Sequence, residues 1–379
     1  MLKTYRFRIY PTAEQIKQLE QHFRETRMIY NRLVERSNTE QPFKRESSTS
    51  VIKELRQDHL FLQNTPSVSY KHVLNNFHRA HQRCILLNRK LKYKSAHGRA
   101  SFSLINRDQA ILVDNKAVSI KGIGRLRAKM TRLIKGNILL ATIVKTGSER
   151  YYMSILTKQP ENKVVPLLQK EKLRCIGLDM GITHFLVRSD GQRIENPRYY
   201  QQNLQRLRRL QKDLARKQRG SANYRKQQIK IARFHESLVN RRNAFLHRES
   251  SKIVQENDII VVEKLGIQDL LGDRRLSLQI SDASWYRFLE MLAYKSQWYG
   301  KRMIQIDRYA PTTRTCCRCR SLTAKLPLQT REWHCPQCDT FHDRDINAAI
   351  NIMIEGAKIY MKEHPQIQQK LIPVLSDRR

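Results

Sequence analysis

Two short apolar runs, each ending in an acid, constrain this chain more than any other feature. Arg174-Cys175-Ile176-Gly177-Leu178-Asp179 and Asp258-Ile259-Ile260-Val261-Val262-Glu263 lack the polar alternation of a half-exposed strand. They read as buried strands of an α/β sheet, with each acid at the strand's exposed end. From Thr183 to Gly191 the chain can turn back as the second strand of a hairpin. A helix from Trp285 to Tyr299 leads to a strand over Met303 to Asp307. The stretch Asp345 to Met353 then restarts as a helix with Ile346, Ala349, Ile350 and Met353 on one face.

The N-terminal part has another character. Leu2, Tyr5, Phe7 and Ile9 among basic neighbours read as a strand ending at Pro11. Thr12-x-x-Gln15 can close a capping box, and Ile16, Leu19, Phe23, Met28, Ile29 and Leu33 recur at helical spacing. More helix is expected from about Val51 to Tyr93, with polar loops near 38–50 and 63–67. Between Ala100 and Leu156 the pattern turns to short β runs, such as Ala110–Val113, Ala117–Ile120, Ile138–Val144 and Tyr151–Ile155. One early strand, a helical insertion and several later strands would make a small β-barrel interrupted by helices. The stretch 157–172, with two prolines and mostly polar residues, reads as the connection to a second domain.

Lys and Arg number 72 against 34 Asp and Glu, a formal net charge of +38 that calls for an anionic partner. Residues 202–248 hold 14 Lys or Arg and only Asp213 and Glu236, on two basic amphipathic helices around Gly220-Ser221. A solvated helical face is the bland alternative; nucleic acid is the expected partner, with Arg208, Arg209, Lys212, Arg216, Lys217, Arg225, Lys226, Arg233, Arg241 and Arg242 as candidate contacts. An acidic lipid surface fits less well, because the charge is spread along the chain rather than gathered on one helix. No run approaches the roughly 18 apolar residues of a membrane span, and MLKTYRFRIYPTAEQ lacks an apolar signal core, so a cytoplasmic protein is expected.

Five of seven cysteines fall between positions 316 and 338. Cys316-x2-Cys319 and Cys335-x2-Cys338, with fifteen residues between the pairs, have the spacing of a four-thiolate zinc ribbon, a structural site. Cys317, Cys84 and Cys175 read as ordinary free cysteines, and His334 and His342 are surplus to a completed site. Asp179, Glu263 and Asp345 form a second constellation, two acids at strand ends and one at a helix start. Converging, they could hold two divalent cations for hydrolysis; taken singly, each would be a surface acid at the end of an element.

IGLDMGI at 176–182, DIIVVEKLG at 258–266, the TCCRC and CPQC pairs and HDRDINAAINI at 342–352 resemble the three RuvC motifs and inserted ribbon of TnpB proteins. TnpB proteins are the OrfB products of insertion sequences, related to type V CRISPR effectors. YRFRIYPTAEQ and the basic stretch 216–250 resemble the same family, so the resemblance covers nearly the whole chain. It implies an RNase H-like (RuvC) nuclease domain at 173–315 and 340–363, with the ribbon at 316–339 inserted in it. Before it would come a wedge-like barrel at 1–10 and 100–160, a helical recognition insertion at 11–99 and a linker at 161–172; a tail follows at 364–379.

The activity implied is RNA-guided DNA endonuclease. The protein would be a bacterial or archaeal, nucleoid-associated monomer that binds a guide RNA from the transposon end and cuts matched double-stranded DNA beside a short motif. Asp179, Glu263 and Asp345 would hold two Mg²⁺ or Mn²⁺ ions and the four cysteines one Zn²⁺. Lys53, Tyr70, Arg79 and Arg83 are candidates for reading the adjacent motif. Asp343 is the rival of Asp345 as third acid. Arg320 and Asp339 stand where the family often has glycine, a departure bearing on the zinc site. A transposase using the same acids, a nuclease-inactive RNA-guided repressor, and a zinc-ribbon RNA-binding or structural protein are the other readings.

Overall fold

The computed structural model describes residues 1–379 apart from 41–42, 44, 60–66, 97–98, 107–109, 115, 161–164, 267–271, 273–275, 325, 328, 368–369 and 372–379. Most of the loop expected at 63–67, the start of the linker and the end of the tail therefore lie outside the described residues. The chain divides into two units, 1–160 with 217–233, and 161–216 with 234–379.

In the first unit, β1 (Leu2–Tyr10) is followed by α1 (Ala13–Thr39), α2 (Arg45–Asp58) and α3 (Ser67–Leu86). The strands β2 (Ala100–Ile105), β3 (Ile111–Val113), β4 (Ala117–Ile120), β5 (Gly124–Lys129), β6 (Asn137–Lys145) and β7 (Tyr151–Lys158) come next. They form one seven-stranded sheet in the order β2-β6-β7-β1-β5-β4-β3. The first strand thus lies between two that follow it by more than a hundred residues, antiparallel to both, with Ile9 opposite Tyr151 and Ala128. Alternation buries Ile9, Phe102, Leu104, Ile111, Leu126, Ile143 and Met153 in a single core shared by both edge strands. No ladder joins β2 to β3 among the described residues. Asn106 bridges there instead, accepting from the Ile111 N–H at 2.9 Å and donating to the Ile138 carbonyl at 3.1 Å.

The capping box forms as expected, the Thr12 hydroxyl accepting from the Gln15 N–H and the Gln15 carboxamide from the Thr12 N–H. α1 serves two cores. Leu19 and Phe23 pack into the sheet, while Ile29 and Leu33 meet Val51, Leu55, Val73 and Phe77 of α2 and α3. The helices run further into the polar 38–50 stretch than composition suggested, and Arg36 pairs with Glu40 at 2.6 Å where α1 ends.

The second unit holds β8 (Cys175–Asp179), β9 (His184–Arg188), β10 (Arg193–Glu195), β11 (Ile259–Glu263) and β12 (Arg302–Ile306), ordered β10-β9-β8-β11-β12. β8, β11 and β12 are parallel; β9 runs antiparallel to β8, and β10 antiparallel to β9. The α-helices among the described residues are α4 (Tyr199–Gln202), α5 (Leu204–Ala215), α6 (Ala222–Glu256), α7 (Ser277–Ala283), α8 (Trp285–Trp298) and α9 (Arg344–Glu363). The first twelve residues of α6 cluster with the first unit. Ile176, Leu178, Ile260 and Val262 face Phe245, Ile253, Phe288 and Met291, whereas Cys175, Ile259 and Val261 face Ile352, Met353, Ala357 and Tyr360 of α9. Both faces of the apolar strands are covered, which is why they carry no polar alternation. The cysteine-rich insert contains the hairpin β13 (Glu332–His334) and β14 (Phe341–Asp343), and β14 runs directly into α9.

Candidate active site and metal centre

Strand periodicity decides where the acids go. Asp179 lies two residues beyond Gly177 and Glu263 two beyond Val261, so both project from the face covered by α9. Leu178 pairs with Val262, which puts the two acids at adjacent strand ends. The third comes from α9. Asp343 caps that helix, its Oδ1 accepting from the N–H groups of Asp345 at 3.1 Å and Ile346 at 2.9 Å while Oδ2 takes Arg193 at 2.7 Å. Both oxygens of Asp343 are engaged in structure. Asp345, in the first turn, faces Arg331 at 3.3 Å and lines a cavity of about 310 Å³ together with Asp179, Met180, His184 and Trp285.

Burial pushes the Asp179 carboxyl up to about 8, and the negative charges of Glu263 and Asp345 push it the same way against Arg344 and Arg331. Burial also raises Glu263, opposed by the Thr312 hydroxyl, which donates to Glu263 Oε1 at 2.5 Å. An all-oxygen donor set that keeps one of its members protonated suits a hard divalent cation, whose charge would relieve the repulsion. Thr312 and Arg331 carried no motif and were not picked out from sequence; the nearest signal for Thr312 was the Pro-Thr-Thr run before the ribbon.

At the ribbon, the sulfurs of Cys316 and Cys338 are 3.7 Å apart and those of Cys319 and Cys335 3.6 Å. A ZnS₄ tetrahedron with bonds of about 2.3 Å has edges of about 3.8 Å, so the four cysteines fit the ion. The Cys319 N–H donates to Cys316 Sγ at 3.5 Å. His342 is buried beside the set, its Nε2 3.0 Å from Cys316 Sγ.

Of the candidate nucleic-acid contacts, Lys53, Arg79, Arg83, Arg208, Arg209, Lys212, Arg216, Arg225, Lys226, Arg233 and Arg241 are exposed, and Lys217 and Arg242 half-buried. Arg225 pairs with Glu149 at 2.7 Å, and Arg242 donates to the Ser281 carbonyl at 3.2 Å. Tyr70 is a correction. Only 4 % exposed, it packs among Tyr30, Val73 and Phe77 with Arg56 over its ring, so the helical core holds it away from any ligand.

Comparison with known proteins gives the family. Residues 154–273 match a profile of the OrfB/IS605 family described as "Probable transposase", and residues 285–352 match "Cas12f1-like, TNB domain". Residues 1–40 match an OrfB profile described as "Helix-turn-helix domain", although they form β1 and the single helix α1. A Streptomyces pristinaespiralis protein named "Putative RNA-guided DNA endonuclease" is 31 % identical over 364 residues, covering 93 % of this chain and 89 % of that one. The chain belongs to the TnpB (OrfB) family. "Putative RNA-guided DNA endonuclease InsQ" of Escherichia coli is 24 % identical, with 94 % of this chain and 92 % of that one covered. A cryo-EM structure titled as a Cas12f1–sgRNA–target DNA complex shares the fold, with TM-score 0.58 at 12 % identity, over 93 % of this chain and 98 % of that one. The TnpB chain therefore has the RuvC-like α/β fold with its ribbon insertion. Among its described residues no helix is long and apolar enough to cross a membrane.

Proposed function

We propose that this TnpB protein is an RNA-guided DNA endonuclease that hydrolyses phosphodiesters at Asp179, Glu263 and Asp345. The observation that carries the reading is the gathering of these acids at one end of a RuvC-like sheet, in a chain 31 % identical over 93 % of its length to a protein of that name. The three carboxylates would hold Mg²⁺ or Mn²⁺, and ions bound there would activate water and stabilise the leaving oxygen. The chain's own residues do the rest. Thr312 fixes the rotamer of Glu263, Asp343 holds the first turn of α9 so that Asp345 faces the cavity, and Arg331, more than half exposed, offers its charge to a phosphate. The ribbon would take one structural zinc, which supplies folding energy that its few buried residues cannot.

The exposed basic residues of α5 and α6 would neutralise RNA phosphates, leaving sequence reading to guide–target pairing. The first unit, as wedge-like barrel and recognition insertion, would read the adjacent motif, with Lys53, Arg79 and Arg83 as contacts. The test is to co-express the protein with its flanking locus, sequence the RNA that co-purifies, and challenge the complex with a plasmid library of guide-matched sites beside randomised bases. Cleavage at matched sites next to one motif, dependent on divalent cation and lost in Asp179→Ala, is the expected result; tight matched binding without cutting would replace this reading with a repressor. The match of residues 154–273 to a probable transposase family favours a second reading, transposition by the same acids, which strand joining rather than hydrolysis would reveal.

A further inference from the structure

The residues after the second and fourth cysteines, Arg320 and Asp339, both hold left-handed backbone, with φ of 66° and 52°. Glycine takes that region without strain, aspartate tolerates it, and arginine is a costly occupant. Arg320 keeps the position and directs its side chain at α9. Its Nη1 donates to Asn351 Oδ1 at 2.5 Å and its Nη2 to Glu355 Oε1 at 2.6 Å.

Asn351 is 1 % exposed, and its Nδ2 donates to the carbonyls of Thr312 at 2.8 Å and Thr315 at 2.5 Å. Thr312, also buried, donates its hydroxyl to Glu263. The chemistry of the links matters. A carboxamide can present either oxygen or NH₂ to a neighbour, but a guanidinium has donors only. The two carbonyls accept only and Arg320 donates only, so the two ends together hold the Asn351 amide with its oxygen toward Arg320 and its NH₂ toward the carbonyls. Asn347 ties the same segment independently, accepting from the Cys317 N–H at 2.9 Å and donating to the Thr315 carbonyl at 2.9 Å. Asn347 also reaches the Thr312 carbonyl, at 3.5 Å against 2.8 Å from Asn351, so the shorter hold on Thr312 is the one that Arg320 anchors.

We propose that Arg320 is a positioning residue for Glu263: by anchoring the oxygen of the Asn351 amide it steadies that amide's hold on the Thr312 carbonyl, and hence the hydroxyl that aims the Glu263 carboxylate. The inference rests on the reading of Glu263 as a nuclease acid.

Arg320→Gly relieves the backbone strain and removes the link, so ribbon integrity and acid-site geometry should move apart. The RNA-bound variant should keep its zinc, measured by mercurial release, and its melting temperature. It should bind matched DNA as before, cut it at least tenfold more slowly, and need several-fold more Mn²⁺ for half-saturation by electron paramagnetic resonance. Arg320→Lys, a donor without an acceptor, should restore part of both losses. Asp339→Gly relieves the same strain at the other knuckle and should leave both at wild-type values. Asn351→Asp retains an acceptor for Arg320 but removes the donors to Thr312, and should reproduce the Arg320→Gly losses whether or not that variant folds. Wild-type Mn²⁺ affinity and cleavage in zinc-loaded Arg320→Gly, or in Asn351→Asp, would overturn the proposal. If the wild-type complex itself cuts no matched DNA, the nuclease reading fails, and the Mn²⁺ affinities still decide whether Arg320 positions Glu263.

Discussion

The approach of α9 to the sheet depends on two glycines, and Gly177→Ala should separate that approach from everything else in the fold. A Cβ at position 177 would lie 2.0 Å from the Ala349 carbonyl oxygen and 2.6 Å from the Met353 nitrogen, both backbone atoms of α9. Ordinary contact begins at 3.4 Å, so the helix must retreat by roughly 1.4 Å. Overpacking of this kind costs about 1–3 kcal/mol. The catalytic cost should be larger, because α9 carries Asp345 while β8 carries Asp179, and a displacement of ~1 Å between reacting groups costs on the order of 10²-fold. Gly356→Ala makes the reciprocal clash, its Cβ falling 2.3 and 2.4 Å from the two methyls of Val261, whose branched side chain has no rotamer that clears both. Urea melts and single-turnover cleavage of guide-matched DNA measure the two costs. Gly147→Ala, whose Cβ meets nothing within 4 Å, is the control. If Gly177→Ala melts with the control and cuts within threefold of wild type, α9 does not deliver Asp345 by this packing and the reasoning fails.

Four further outcomes are expected. Because Asp179 holds its proton up to about pH 8, a cation must displace it, and the apparent Mg²⁺ affinity for cleavage should weaken about tenfold per unit as pH falls below that value; an affinity flat with pH would refute this. The linked stability runs the other way: a raised carboxyl pKa means the folded state binds more protons than the unfolded one between about pH 4 and 8, so the metal-free protein loses stability as pH rises through that window, and Asp179→Asn should abolish the trend in urea melts. Asp258 is pushed up by burial, but Lys170 at 2.5 Å and Lys301 at 2.6 Å outweigh it and hold the carboxyl below its usual range. Its contribution is present above about pH 4 and is lost as pH falls through the lowered value, and Asp258→Asn should cost about 2–4 kcal/mol at neutral pH, a difference that vanishes in strong acid. At the ribbon, a mercurial should release one zinc per chain from wild type and from Cys317→Ser, but none from Cys316→Ser, whose sulfur lies 3.7 Å from that of Cys338.

What could be read from sequence follows from how local each signal is. Buried strands such as Cys175–Asp179 and Ile259–Glu263 declare themselves because two covered faces leave no polar position. β5, Gly124–Lys129, is hard to read from sequence because Arg125 and Arg127 occupy its outward positions and only Leu126 and Ala128 are buried. Its strand character comes from pairing with β1, more than a hundred residues away. Tyr70 stands among the candidates for reading the adjacent motif, and the α1–α3 core that buries it depends on helix packing that one sequence does not display. The choice between Asp343 and Asp345 turned on a cap, a matter of two N–H groups 2.9 and 3.1 Å from one oxygen. Arg320 and Asp339 read as departures that weaken the metal site, whereas each occupies the left-handed conformation that glycine would otherwise serve.

The third acid is placed by a helix whose freedoms are removed one at a time. Gly177 and Gly356 set the distance of α9 from the sheet, since any side chain at either position would force it outward. Asn347 and Asn351, one turn apart and both buried, bind the Thr312–Cys317 segment and fix the slide of the helix along its axis. The Asp343 cap, held also by Arg193 from β10, fixes the rotation of the first turn. Asp345 follows from these constraints rather than from contacts of its own side chain, whose one hydrogen bond among the described residues is to the half-exposed Arg331. On this argument the outward face of α9 is free to vary: Lys358→Ala, which removes only an exposed pair with Glu355 at 2.9 Å, should leave cleavage unchanged while substitutions at 177, 351 and 356 do not.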